Sequence, residues 1–154
     1  MTMSAEKTPA WEADIRLAAG DVLTSNQRLH YYARSSRVRS IREVAAATAR
    51  LTRAPHLERA RITITVAFPD RRRRDTHNLM PTAKAIVDGL VDAGLLPDDD
   101  HRHLTGPHLE TTDDLSPKRF GQRTFTFRIA VTDLEPCPTT PATANATETE
   151  GETE

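Results

Sequence analysis

The nine residues Ala60 to Phe68, ARITITVAF, alternate without a break, and no other segment limits the fold so tightly. Ile62, Ile64, Val66 and Phe68 fall on one side of an extended chain, and β-branched side chains dominate the run, so it reads as a strand with one face on a core. Pro69 and the charged run Asp70 to Arg74 stop it. Two further segments alternate: Trp11 to Leu17 (WEADIRL), which opens the sheet, and Gln122 to Thr132 (QRTFTFRIAVT). His103 to Leu109 adds a short strand in spite of Gly106 and Pro107. Elsewhere the period lengthens to that of a helix. Ser36 to Leu51 places Val38, Ile41, Val44, Ala45, Thr48 and Leu51 on one stripe, with Arg37, Arg39, Arg42 and Arg50 over the rest. Pro81 to Ala93 gives a second helix, with proline in its first turn and Gly94 placed to end it. Its stripe is Ala83, Ile86, Val87 and Leu90, and Lys84 and Asp88 stand four apart on the other side. Between the first strand and first helix, Ala18 to Tyr32 reads as a loop carrying SNQRLHYY, a polar and aromatic segment suited to a nucleic-acid backbone. The order strand, helix, strand, helix, strand, strand predicts an α/β fold: a single compact domain with a small mixed β-sheet and two main helices.

The 154 residues suffice for one core. Residues 1 to 10 are expected to be disordered. From Asp133 onward six acids and no base stand among many Pro and Thr residues, so 133 to 154 reads as an acidic disordered tail. The folded domain is expected over 11 to 132. No apolar run approaches the roughly 20 residues that span a bilayer, and no signal-type stretch follows the first charges, so a soluble, cytoplasmic protein without a membrane role is expected. Cys137 is the single cysteine, which excludes an intrachain disulfide and a thiolate metal cluster. A bound metal would take oxygen or nitrogen ligands.

A net charge of −1 hides a strong segregation. Arg28 to Arg74 contains thirteen arginines against Glu43, Glu58 and Asp70, a local balance of +10. Asp75 to Asp114 reverses it, with nine acids against Lys84 and Arg102. A surface of arginines beside a group of carboxylates suits an enzyme that grips phosphates and cuts one; a solvated basic helix beside an acidic loop is the plainer alternative.

Phosphodiester hydrolysis needs charge stabilisation on the phosphoryl oxygens, an activated water and a stabilised leaving oxygen, and Mg²⁺ held by carboxylates supplies all three. Asp75 follows the strong strand, and Asp98, Asp99 and Asp100 follow the second helix. If that helix returns the chain to the same end of the sheet, Asp75 faces Asp98 or Asp99 across a gap of metal size. The order of residues is also specific: Arg72-Arg73-Arg74, then Asp75-Thr76-His77-Asn78, Lys84, Asp88, Ala93-Gly94-Leu95 and Asp98-Asp99. This resembles the RusA family of Holliday-junction resolvases, homodimeric Mg²⁺-dependent endodeoxyribonucleases common in phages and prophages, over about a quarter of the chain.

The resemblance implies Asp75, Asp98 and Asp99 as metal-binding carboxylates, Lys84 as the cation that steadies the scissile phosphate, branched DNA as substrate and a homodimer as the working form. Asp88 fits the pattern and also suits a helical pair with Lys84. Asn78 either orients a ligand or caps the helix start. Asp100 is an extra acid, read as solvated. Two features depart from the pattern. His77 stands where the family has a second aspartate, and Asn78 to Lys84 spans six positions where three are usual, an insertion of Leu79-Met80-Pro81. Imidazole ligates Mg²⁺ poorly and Mn²⁺ better, so His77 is expected to coordinate, to act as a base on water, or to mark a lost nuclease that still binds DNA. A nuclease of flaps or other branches shares the chemistry. His101, His103 and His108 match no common zinc spacing and read as exposed loop histidines. Arg71, Arg72, Arg73 and Arg74 are expected on substrate phosphates, with Asn26 and Arg28 as secondary backbone contacts.

Overall fold

The structure is a computed structural model that describes residues 7–135. Residues 1–6 and 136–154, with Cys137 and most of the expected tail, lie outside the described residues. The architecture is a small α/β domain: strand β1 (Trp11–Ala18), helix α1 (Tyr31–Leu51), β2 (Ala60–Phe68), α2 (Met80–Asp92), β3 (Leu104–Leu115) and β4 (Thr124–Asp133). The strands form one mixed sheet in the order β1-β4-β2-β3. β4 is antiparallel to both neighbours, pairing Ile15 with Phe127 on one side and Ile64 with Ile129 on the other. β2 and β3 are parallel, as a strand-helix-strand crossover requires.

The alternation read from ARITITVAF holds. Ile62, Ile64 and Val66 are fully buried and join Ile15, Phe127, Ile129 and Val131 in one core with residues of both helices. Both helices therefore cover the same face of the sheet, and among the described residues no helix covers the face that carries Asp14, Arg128 and Thr65. The Trp11 indole donates to the Thr52 hydroxyl at 3.1 Å, tying the start of β1 to the end of α1.

Two element readings change. α1 begins at Tyr31, five residues before Ser36, because His30 Nδ1 accepts the Tyr32 backbone N–H at 3.4 Å. Its buried residues are Ile41, Ala45, Ala46 and Ala49, while Val44 and Leu51 of the expected stripe are exposed. The cause lies on α2. A Cβ on Gly89 would collide with the Arg42 carbonyl oxygen and stand 2.7 Å from the Ala45 Cβ, so the helices cross backbone to backbone. A contact that close selects alanines and turns larger side chains outward. β3 is also longer than expected and absorbs Gly106 and Pro107: Arg61 pairs with Thr105 but Thr63 with His108, leaving one extra residue on β3.

Candidate nucleic-acid and metal site

Beyond β2 the chain makes a tight charged turn built on Asp70. Its Oδ1 accepts Arg74 Nη1 at 2.6 Å and the Arg72 backbone N–H at 3.0 Å, and Arg123 approaches Oδ2 at 3.7 Å. The Arg74 hydrogen bond, then that from Arg72, lowers the Asp70 carboxyl to about 2. The Arg74 guanidinium also lies over the rings of Phe68 and Phe125, 5.3 and 5.7 Å from their centroids. Of the four consecutive arginines expected on phosphates, Arg74 is thus engaged by the fold. Arg71 and Arg73 are exposed and have no ion pair among the described residues, and Arg72 keeps one loose contact, 3.8 Å from Asp70.

A 3-10 turn, Thr76–Leu79, follows and runs directly into α2. Asp75 is its cap, accepting the His77 backbone N–H at 2.9 Å. Asn78 is not the cap: no side-chain hydrogen bond caps α2, and Asn78 contributes its backbone carbonyl, which accepts Ser25 N–H at 2.9 Å. That bond brings the SNQR loop, with exposed Asn26 and Arg28, beside the Asp75 turn. Thr82 fixes the same loop more firmly. Fully buried, its hydroxyl accepts the Leu23 N–H at 2.9 Å and donates to the Leu23 carbonyl at 2.7 Å. Sequence reasoning missed Thr82; a lone threonine at the start of an apolar helical stripe was its only trace. Asp75 and His77 open, with Arg73, onto a groove of about 730 Å³ whose far wall is Leu109, Glu110 and Thr111 of β3. Glu110 was also missed, because an acid on an alternating edge strand has the sequence appearance of a solvated one.

The second half of the expected site is assembled around Lys84. Its Nζ is 3.2 Å from Asp99 Oδ2 and 3.8 Å from Asp88 Oδ1, and Asp98 Oδ1 accepts the Asp99 N–H at 2.7 Å. The Lys84 hydrogen bond is the main cause that holds the Asp99 carboxyl below its ordinary range, while partial burial raises that of Asp88. Asp88 is thus a partner of Lys84, as its helical spacing allows. Asp100 is not simply solvated: Arg102 donates to its Oδ2 at 2.7 and 3.1 Å. Of the histidines, His103 is held by the Glu58 carbonyl through Nδ1 at 2.8 Å, His108 pairs within β3 opposite Thr63, and His101 is exposed in the turn before β3.

Asp75 and the Asp98-Asp99 pair are held by different partners: Asp75 caps the 3-10 turn, whereas Asp99 is bonded to Lys84. Because β2 and β3 are parallel, α2 carries the chain back to where both strands begin: Leu57 N–H bonds to Leu95 O and Ala60 N–H to His103 O. The acidic loop therefore belongs to that end of the sheet, whereas Asp75 opens beside the middle of β3. Among the described residues no three His, Cys, Asp or Glu side chains are grouped to hold a metal ion as they stand. The donors have the right chemistry for a hard divalent cation, being exposed carboxylates, but Asp75, Asp98 and Asp99 do not form one closed set. Among the described residues no helix is long and apolar enough to cross a membrane. No protein-family model matches the chain, and no match to a curated protein is found.

Proposed function

We propose that the protein is a metal-dependent endodeoxyribonuclease that acts in the cytoplasm on Holliday junctions or related branched DNA, in recombination and repair, as a homodimer. The observation that carries this reading is the Lys84 cluster: a lysine on a helix bonded to an aspartate of the Asp98-Asp99 pair, in the residue order that resembles the RusA family. Free Arg71 and Arg73 beside Asp75 add a phosphate-binding edge, and the tethered SNQR loop puts Asn26 and Arg28 next to it. A two-fold dimer would present two sites to a four-way junction, which itself has two-fold symmetry.

Asp98 and Asp99, and Asp75 and His77 from the turn before α2, are the residues that would hold Mg²⁺ or Mn²⁺; such an ion supplies Lewis-acid stabilisation of the phosphoryl oxygens and a more acidic water. Lys84 is the chain's own contribution to the phosphate charge. In the structure it is shared between Asp99 and Asp88, and a substrate phosphate would compete with these carboxylates for it. Arg71 and Arg73 orient the backbone.

That no three potential ligands are grouped among the described residues favours a second reading, a branched-DNA-binding protein that has lost cleavage through the histidine at 77. One experiment separates the two. Labelled four-way junction, flap and linear duplex are incubated with the protein in Mg²⁺ and, separately, in Mn²⁺. The nuclease reading expects paired nicks in the junction that fall about 10²- to 10³-fold in Asp75→Asn, the scale of removing one transition-state stabiliser. Binding without cleavage in both metals rejects it. His77→Asp is expected to raise the Mg²⁺ rate relative to the Mn²⁺ rate, because a carboxylate suits the harder ion.

A further inference from the structure

The most exposed aromatic side chains at the start of a long element are Tyr31 and Tyr32, 74% and 75% accessible. Neither belongs to the core. They are nonetheless held: His30 stacks on Tyr32 with ring centroids 5.4 Å apart, and Tyr31 meets Tyr32 edge-on at 5.6 Å. Tyr31 also forms one end of an open groove of about 700 Å³ that follows α1 past Arg34, Val38 and Arg39 to Arg50 and reaches Asp92 of α2. Arg42 is committed to Asp92 by two bonds of 2.9 and 3.0 Å. Arg34, Arg39 and Arg50 have no ion pair among the described residues, and Glu43 is the only acid of α1 against five arginines. A fold gains nothing from two ordered, solvated tyrosines or from unneutralised arginines along a groove, so both features point to a ligand that is anionic and has flat faces.

We propose that this groove binds single-stranded nucleic acid, with one base stacked on Tyr31 at its end, another on Tyr32 just outside it, and phosphates along Arg34, Arg39 and Arg50. Aromatic platforms beside a basic track are how unpaired strands are held without sequence readout. A duplex offers no free base faces to the tyrosines, and an acidic peptide has no rings to stack. The surface lies apart from the acidic loop but is joined to it through α2, on which Asp92, bonded to Arg42 of α1, stands one turn after Asp88. An unpaired arm could thus lie along α1 while the branch from which it comes reaches Lys84. The inference goes beyond the nuclease reading and does not require a metal.

The test is fluorescence anisotropy of a labelled oligothymidylate with the full chain in EDTA. The wild-type chain is expected to bind, and Tyr31→Ala/Tyr32→Ala to bind about 5- to 100-fold more weakly, the scale of one to two lost stacking contacts. Tyr31→Phe/Tyr32→Phe keeps the rings and is expected to bind as the wild type does. Arg34→Gln/Arg39→Gln should lower the slope of log affinity against log salt by about 1.4, two single-strand phosphate contacts. Circular dichroism establishes that the variants keep their helices. Absence of wild-type binding, an unaffected alanine variant, or equally tight binding of a labelled polyglutamate peptide each overturns the proposal. A chain that binds the oligothymidylate yet cuts no junction in Mg²⁺ or Mn²⁺ supports it while removing the nuclease reading.

Discussion

Asp70 draws three arginines onto one carboxylate, and its depressed pKa makes a pH-dependent contribution whose sign is fixed. A carboxyl at about 2 when folded and 3.8 otherwise stabilises the fold fully above 3.8 and loses that contribution as pH falls towards 2. Urea midpoints of the wild type and Asp70→Asn should therefore differ most at neutral pH and converge on acidification; a constant gap would show that the amide replaces the carboxylate for reasons other than charge. Arg74 illustrates what the sequence conveys at this scale. Four arginines in a row announce positive charge, but nothing in the run says that one of them will lie across Phe68 and Phe125, because Phe125 is brought there by a strand fifty residues later. Asp75, Lys84 and the Asp98-Asp99 pair were singled out as candidates by their order in the sequence. Their mutual distances were not legible there, since these depend on the direction in which α2 returns. Thr82 carries a sharper prediction. Thr82→Val has the same shape but leaves the Leu23 N–H and carbonyl without partners, a loss of about 1–3 kcal/mol in a denaturation curve. It should also free the SNQR loop, seen as faster amide exchange at Ser25 and Asn26.

At the scale of elements, α1 and α2 cross with backbone against backbone at Gly89. Gly89→Ala gains helix propensity of about 1 kcal/mol, yet the new methyl meets backbone at Arg42 and a methyl at Ala45. The clash outweighs the gain, and a net loss of about 1–2 kcal/mol is expected from urea unfolding. If the variant instead unfolds later than the wild type, the helices have room to part and the account of the alanine stripe is wrong. This crossing also explains which parts of α1 could be read in advance. Periodicity gave the helix and Ile41 and Ala45, but hydrophobicity weights favoured Val44 and Leu51, and only the partner glycine shows that Ala46 and Ala49 are preferred. β2, β4 and β1 were legible because alternation is a local property. The full length of β3 was not, because its Gly106, Pro107 and acids are tolerated only on an edge strand with register shifts.

For the whole molecule, opposite charges sort into a basic helix face and an acidic loop joined by α2, and binding of any polyanion should be strongly salt-dependent. Raising salt from about 50 to 200 mM should weaken junction binding by 10³-fold or more if six or more phosphates are contacted. A small response, measured by anisotropy in EDTA, would mean that the arginines of α1 and the Asp75 turn do not act together. The sheet order has a further consequence. β4 lies between β1 and β2, and among the described residues it is the sole strand partner of β1. As the chain leaves the ribosome, β1, α1, β2, α2 and β3 all emerge before the strand that joins β1 to the rest. The β2-α2-β3 unit can pair early, but Trp11 to Ala18 has to wait with its backbone edge unpaired until Thr124 to Asp133 arrives. Synthesis order thus makes β1 the last strand to be docked, and release from the ribosome before residue 133 leaves β1 without its partner strand.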